Sequence, residues 1–127
     1  MSFSKTNSAA EACAARRVAA HAEAEEVSAF LLQPSLFGTP LTPGELDEFR
    51  THPAATVGCA DDAYWYVRDG AGAICAAIGV RMNVERTGIF EVSALAIHSP
   101  CRGRGLGRRL LELALAFVAD SHGRGLL

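Results

Sequence analysis

The sequence predicts an α/β domain of the α+β kind, a mixed and mostly antiparallel sheet flanked by helices. Three observations predict it. Two strand-like runs, Tyr64-Trp-Tyr-Val67 and residues 73–82, are separated by Asp69-Gly-Ala-Gly72, a hairpin signal. A further segment, residues 89–98, is apolar on both faces apart from Glu91 and Ser93, as a central strand is. That segment runs into Arg102-Gly103-Arg104-Gly105-Leu106-Gly107, after which a helical period sets in at once.

The remaining elements follow in order. Ser8-Ala-Ala-Glu11 has capping-box spacing and predicts an Ala-rich helix over residues 8–32, packing from Val27, Phe30 and Leu31 onward. Residues 33–41 form a loop with two prolines and a glycine. Thr42-Pro-Gly-Glu45 starts a second helix, with a threonine cap, proline at the first position and glutamate three residues on. It is short and ends before Pro53. Residues 83–88 turn the chain into the strand at 89–98. The last helix spans residues 104–121, with Leu106, Leu110, Leu113, Ala114, Phe117 and Val118 facing the sheet, and Ser121-His-Gly123 stops it. No strand is predicted ahead of the first helix.

Composition narrows the function. A chain of 127 residues, half of them apolar, is one folded domain, residues 1–127. A formal net charge of −2 gives no bulk attraction to nucleic acid or to an acidic membrane. From residue 100 onward, however, five arginines face two acids, a balance suited to an anionic ligand. The cysteines Cys13, Cys59, Cys75 and Cys101 lie far apart without a C-x-x-C pair, which reads as reduced thiols in a cytoplasmic protein. There is no signal-peptide pattern and no run of ~18 apolar residues that would span a membrane. No His/Cys/Asp cluster has metal-ligand spacing, so no metal is expected.

The glycine turn carries the chemistry. Strand, glycine-rich turn and helix together build an anion cradle, because glycine lets backbone approach a ligand and the first helical N–H groups point at it. The dinucleotide fingerprint G-x-G-x-x-G fails: its third glycine falls on Arg108 or on Leu110, depending on the starting glycine. The P-loop also fails, since no lysine lies near the turn. A solvated Arg-Gly repeat or a nucleic-acid contact fits poorly between a buried strand and an amphipathic helix. What remains is Arg/Gln-x-x-Gly-x-Gly/Ala, matched by Arg102, Gly105 and Gly107.

On these residues the chain resembles the GNAT N-acetyltransferase superfamily. Leu95-Ala-Ile-His-Ser-Pro-Cys-Arg-Gly-Arg-Gly is similar to that family's Leu-Ala-Val-His-Pro-x-Tyr-Arg-Gly-x-Gly, with Ser99 for proline and Cys101 for an aromatic residue. The resemblance covers the last half of the chain. It implies an acyl-CoA N-acyltransferase fold that lacks its usual last strands, and acetyl-CoA as the acyl donor. It assigns backbone at Leu95, Ala96 and Ile97 to the pantetheine arm. Arg102, Gly103, Arg104, Gly105, Leu106, Gly107 and Arg108 would hold the pyrophosphate. Glu91, eleven positions before Arg102, stands near the offset of the catalytic glutamate in the histone-acetyltransferase branch. As one carboxylate in an apolar strand it is the candidate base, with burial raising its proton affinity. The opposing reading makes it an ion-pair partner of Arg81 or Arg86.

The other candidates read as structure. His98 matches a loop histidine of the family, His21 and His52 fall on helix or helix-end positions, and His122 on a helix end. Cys101 reads as a packed or partly exposed thiol, with a nucleophile beside the glycine turn as the sharper alternative. Tyr64, Trp65 and Tyr66 read as core, with an acceptor-pocket lining as the sharper alternative. Glu45, Asp47, Glu48, Asp61 and Asp62 read as a solvated face, with attraction of a cationic amine as the alternative. Only Arg124-Gly-Leu-Leu127 follows the last helix, as the approach to a fifth strand. The central strand then has an open edge. That edge suits pairing in a homodimer, and the expected domain is incomplete at its C-terminus. Two functions follow: an N-acetyltransferase acting on a primary amine of a small molecule or protein, or a non-catalytic module that binds acetyl-CoA or a protein partner.

Overall fold

A computed structural model describes residues 14–83 and 88–121, together with the backbone of residues 125–126. In chain order the elements are β1 (Arg16–Arg17), α1 (His21–Leu31), α2 (Pro43–Ala55), β2 (Ala63–Arg68), β3 (Ile74–Met82), β4 (Ile89–Ile97), a 3-10 turn (Ser99–Cys101), α3 (Leu106–Asp120) and β5 (Gly125–Leu126). The strands lie in the order β1-β2-β3-β4-β5. Every neighbouring pair is antiparallel except β4 and β5, which run parallel through Ile89 and Phe90 only.

Both faces of the sheet are covered. On one face Leu106, Leu110, Ala114 and Val118 of α3 pack on Trp65, Val67, Cys75, Ile78, Val80 and Phe90. Phe117 meets Trp65 and Phe90 edge-on, at centroid distances of 5.4 and 5.9 Å. On the other face Val27, Phe30 and Leu31 of α1 and Phe49 of α2 pack on Tyr64, Tyr66, Ala77, Ala94 and Ala96. The expected hairpin, the strand at 89–98 and the sheet-facing stripe of the last helix are all present.

Three boundaries differ from expectation. The helix predicted over 8–32 begins only at His21, and its capping spacing at Ser8 lies outside the described residues. Arg16 and Arg17 instead pair with Tyr66 and Trp65, and the Val18 amide donates to the Tyr64 carbonyl at 2.8 Å. Sheet pairing outweighs alanine's helix propensity there. The Glu23 carboxylate, accepting from the Ala19 and Ala20 amides at 3.1 Å each, fixes the helix start. The strand missing from the sequence reading ahead of the first helix is therefore present, two residues long.

The second helix starts where predicted: Thr42 Oγ1 accepts from the Glu45 amide at 3.1 Å and the Glu45 carboxylate accepts from the Thr42 amide at 2.9 Å. It runs through Pro53 instead of ending before it. In a last turn proline removes a single helical bond, and Thr56 closes the end by donating from Oγ1 to the Pro53 carbonyl at 2.8 Å. The third helix begins at Leu106, two residues after its predicted start. Residues 84–87 of the predicted turn, Arg86 among them, and the stop at His122 and Gly123 lie outside the described residues.

One irregularity matters for the site. Ala94 pairs with Gly79 and Val92 with Val80, so Ser93 is an extra residue in β4, a bulge. The bulge resets the two-residue alternation. Phe90 and Val92 belong to the α3 face, and so does Ile97, while Ala94 and Ala96 turn to the α1 face.

Candidate functional site

The C-terminal half of β4 is a free sheet edge among the described residues, because β5 reaches only Ile89 and Phe90. In an antiparallel ladder, successive residues point their amides alternately at the partner strand and away from it. The His98 amide donates to the Cys75 carbonyl at 2.7 Å, which sets the phase. Ala96 then bonds toward β3, and Leu95 and Ile97 present N–H and C=O groups on the open edge. The Ile97 carbonyl accepts from Arg102 Nε at 3.2 Å, on that same edge. Of the three residues assigned to a pantetheine arm, Leu95 and Ile97 thus offer free amides. Ala96 supplies a small, buried wall.

The 3-10 turn carries the chain from this edge into the glycine bend. Gly103 and Gly105 take φ of +80° and +77°, in the left-handed region, and a Cβ at either would touch nothing within 4 Å. Gly105 is the N-cap of α3 and no side chain caps that end. The first helical bond is Arg109 N–H to the Gly105 carbonyl, at 3.0 Å. The amides of Leu106, Gly107 and Arg108 therefore precede the helical ladder. Arg102, Gly103, Arg104, Gly105 and Arg108 are exposed, so nothing among the described residues covers the bend. Gly107 sits against the strand: a Cβ there would lie 3.1 Å from Ile97 Cδ1. Leu106 is the buried anchor that fixes the helix beneath its open end.

Two adjoining cavities flank this run, of about 290 Å³ and about 300 Å³. The first is lined by Leu36, Phe37, Leu95, Ala96, Ile97 and Arg102. The second shares Leu36, Phe37 and Arg102 and extends to His98 and Ser99. A phosphate at the bend would meet unbonded amides, a helix N-terminus and a cluster of arginines, while a chain leading from it along β4 would meet an apolar wall and strand amides. The residues present therefore fit a phosphate-bearing thioester donor.

Glu91 lies on β4 on the side away from α3. Its Oε2 accepts from Arg81 Nε at 3.2 Å and its Oε1 from Asn83 Nδ2 at 2.6 Å. Arg81 also pairs with Glu48 of α2. The strand does not bury Glu91 as expected: its side chain keeps 31% exposure beside Arg81, itself 43% exposed. The ion pair with Arg81 anticipated as the opposing reading is present.

Sequence reasoning missed a second polar group on that face. The Tyr64 ring passes over Gly79, where a Cβ would stand 2.3 Å from Tyr64 Cζ. Its hydroxyl lies 3.3 Å from Ser93 Oγ and 3.2 Å from His52 Nδ1. His52 Nε2 lies 2.8 Å from Asp62 Oδ2, and Asp62 Oδ1 accepts from the Met82 amide at 3.1 Å. Burial pushes the Tyr64 phenol far above its ordinary value, so it stays protonated. The available signal was Gly79, a glycine inside a strand pattern, which marks a bulge or a close approach. Among the other candidates, Tyr64, Trp65 and Tyr66 are core. Cys101 is buried beside Cys75, whose thiol is pushed up to about 12 by burial and by Cys101 itself, which leaves Cys75 a poor nucleophile. His98 is exposed at the head of the 3-10 turn. Among the described residues no group of acids, histidines and cysteines is placed to hold a metal ion. None of their helices is long and apolar enough to cross a membrane.

A mixed sheet with an open strand edge leading into a glycine-capped helix is the architecture that the sequence resemblance implies. The model of the acetyltransferase (GNAT) family matches residues 30–126, and the chain belongs to that family. Solved structures agree on the fold. A GNAT-family chain from Desulfovibrio desulfuricans superposes with a TM-score of 0.68 at 20% identity, covering 89% of this chain and 69% of that one. AAC(6′)-Iy in complex with the bisubstrate analogue CoA-S-monomethyl-acetylneamine gives 0.66 at 11% identity, covering 89% and 76%. Glucosamine-6-phosphate N-acetyltransferase from Arabidopsis thaliana gives 0.60 at 16% identity, covering 89% and 80%. No curated protein matches the chain.

Proposed function

We propose that the protein transfers an acetyl group from acetyl-CoA to a primary amine. The observation that carries this reading is the continuity of the open β4 edge at Leu95 and Ile97 with the uncapped amides of residues 106–108. The diphosphate sits in the bend from Arg102 to Arg108, where positive-φ glycines clear the approach and arginine charge adds to the helix end. The pantetheine arm lies along Leu95, Ala96 and Ile97, and the thioester carbonyl reaches the strand near the Ser93 bulge. A backbone N–H there polarises it and holds the oxyanion. The solved relative that carries a CoA bisubstrate analogue supports a CoA donor in this fold.

The amine approaches from the opposite side of β4, on the face that carries Glu91, Ser93 and Glu48. Glu91 attracts the ammonium and takes its proton directly or through a water. Its ion pair with Arg81 holds the carboxylate in place while one side stays open to solvent. The test is thioester cleavage in the presence of acetyl-CoA and three amines: an amino sugar, a peptide α-amine and a lysine peptide. Calorimetry with CoA comes first, and no heat at millimolar CoA removes the reading. Glu91→Gln is expected to lower kcat/KM about 100-fold at neutral pH. A parental kcat/KM in that variant removes Glu91 as the base.

A further inference from the structure

We infer that Asp62, His52, Tyr64 and Ser93 form a one-way proton path from the acceptor amine at the β4 bulge to the α2 side of the domain, with His52 as the proton holder. The inference rests on the acetyl-transfer reading above and adds to it a second proton-handling group, distinct from Glu91.

The direction of the path follows from donor arithmetic. The Asp62 carboxylate only accepts, so the His52 nitrogen facing it at 2.8 Å, Nε2, carries a hydrogen. In neutral imidazole Nδ1 is then an acceptor, and the hydroxyl 3.2 Å from it, that of Tyr64, donates to it. With its one proton committed, Tyr64 accepts, and Ser93 Oγ donates to it at 3.3 Å. Every bond points from Ser93 toward Asp62. Ser93 is left with open lone pairs at the one place where β4 bulges, half-buried beside the unpaired edge. Such a chain is set to receive a proton at Ser93 and to deliver one at His52.

The packing is specific to this chain of groups. Gly79 makes room for both ends: a Cβ on it would meet Tyr64 Cε2 at 2.4 Å and Ser93 Oγ at 2.6 Å. Tyr64 is fully buried, whereas His52 and Asp62 keep 12% and 26% side-chain exposure, so the path has a dry middle and a wet exit. The charged groups facing it are Glu48 of α2 and Arg81 of β3, both sensed at the Tyr64 hydroxyl, together with Asp62 itself. Arg81 pairs with both Glu48 and Glu91, which leaves that trio one net negative charge. Asp62 is the acid in direct contact with His52, at 2.8 Å from Nε2, and the Met82 amide holds it in place.

The reaction has work for such a path. When an ammonium becomes an amide, the N–C bond forms and the C–S bond breaks. Nitrogen loses two protons, one through Glu91 to solvent and one along this path, and the departing sulfur takes one back from solvent, so one leaves the site in net. Along this path a nitrogen proton passes to Ser93 Oγ as Ser93 gives its own to Tyr64 and Tyr64 gives its own to His52 Nδ1. Both hydroxyls end with one hydrogen each, and the imidazolium faces the Asp62 carboxylate until it releases the proton to solvent.

Three variants and one spectrum test this in the full chain. Tyr64→Phe keeps the ring and cuts the path, His52→Gln keeps a polar side chain that cannot hold the proton, and Ser93→Ala removes the open end at the sheet edge, where folding is least at stake. Each is expected to bind acetyl-CoA as the parent does, to keep its KM for the amine probe, and to lose kcat about 100-fold at pH 7. The loss should shrink as pH rises and the free amine becomes abundant. In the parent, nitrogen-15 NMR should show neutral His52 with its hydrogen on Nε2. A folded Ser93→Ala with parental kcat, a change confined to KM, or an Nδ1–H tautomer each overturns the path. The acetyl-transfer reading survives those results, and it falls separately if the parent protein binds no CoA.

Discussion

Gly79 shows how one residue holds the acceptor face together. It lies in the middle of β3, where glycine normally weakens a strand because it has no side chain to pack. Here the missing side chain is filled by the Tyr64 ring from β2 and the Ser93 hydroxyl from β4. Gly79→Ala would force atoms that now stand 2.3 to 2.6 Å from the new Cβ to move. The aromatic ring is buried on all sides and has no free direction to retreat. We expect a loss of about 1–3 kcal/mol in unfolding free energy, measured by urea titration, and a weakened Ser93–Tyr64 contact. A neutral Gly79→Ala would mean that the ring shifts freely. The site residues divide by how far a sequence could expose them. The bend at Gly103 and Gly105 was legible because its positive φ calls for glycine, and glycine writes that geometry into the sequence. Asp62 and Tyr64 stand two residues apart, but His52 comes from α2 and Ser93 from β4, and nothing in the spacing joins those three stretches. Their assembly depends on the extra residue in β4, which only the pairing register reveals.

At the scale of elements, α3 is the part to which the proposed donor would bind, and its body and its N-terminus are held differently. Its body is held by Leu106, Leu110, Ala114 and Val118, a stripe the sequence displayed plainly. Its N-cap, Gly105, is set by conformation, at φ +77° and without a side-chain bond, while buried Leu106 anchors the turn behind it. Gly105→Ala meets no neighbouring atom, yet an L-residue in that conformation costs about 1–2 kcal/mol. The expected outcome is a modest fall in melting temperature with a larger loss of CoA affinity, because relaxing the cap turns amides 106–108 away from the ligand. Gly107→Ala is the comparison: its φ is ordinary and its new Cβ would press only on the end of Ile97, at 3.1 Å. It should cost less stability than Gly105→Ala, and the reverse order in paired melting and calorimetry experiments would contradict this account of the turn. The N-terminal part of the chain was the least legible for a related reason. Alanine-rich sequence suits a helix locally, and the competing partner of Arg16 and Arg17, the edge of β2, lies some 50 residues away in sequence. Pro53 misled in the opposite sense: a residue that usually ends a helix is accommodated within the last turn, and it places His52 against Tyr64.

Across the whole molecule, the proposed reaction divides between the two sides of the sheet: the β4 edge and the N-terminus of α3 would present backbone to an anionic donor, and the α1 and α2 side, with Glu48, Glu91, His52 and Asp62, would receive a cationic acceptor and its proton. The two meet only at β4, where the bulge lets one strand serve both faces. A donor that bridges β4 and the N-terminus of α3 ties together elements that otherwise touch through Leu106, Gly107 and Ile97, so its binding should stabilise the entire fold. At a CoA concentration 100 times its Kd, the gain is about 2.7 kcal/mol, or roughly a 10 °C rise in melting temperature for a domain of this size. Pantetheine, which lacks the phosphates, should occupy the β4 edge and raise the melting temperature far less. The part of the CoA effect that depends on phosphate should also shrink as salt is raised from 50 to 500 mM, because the arginines of the bend are exposed and their attraction is screened. Equal shifts for CoA and pantetheine, or a CoA shift indifferent to salt, would place the ligand away from the glycine bend and remove the physical basis for assigning the donor to it.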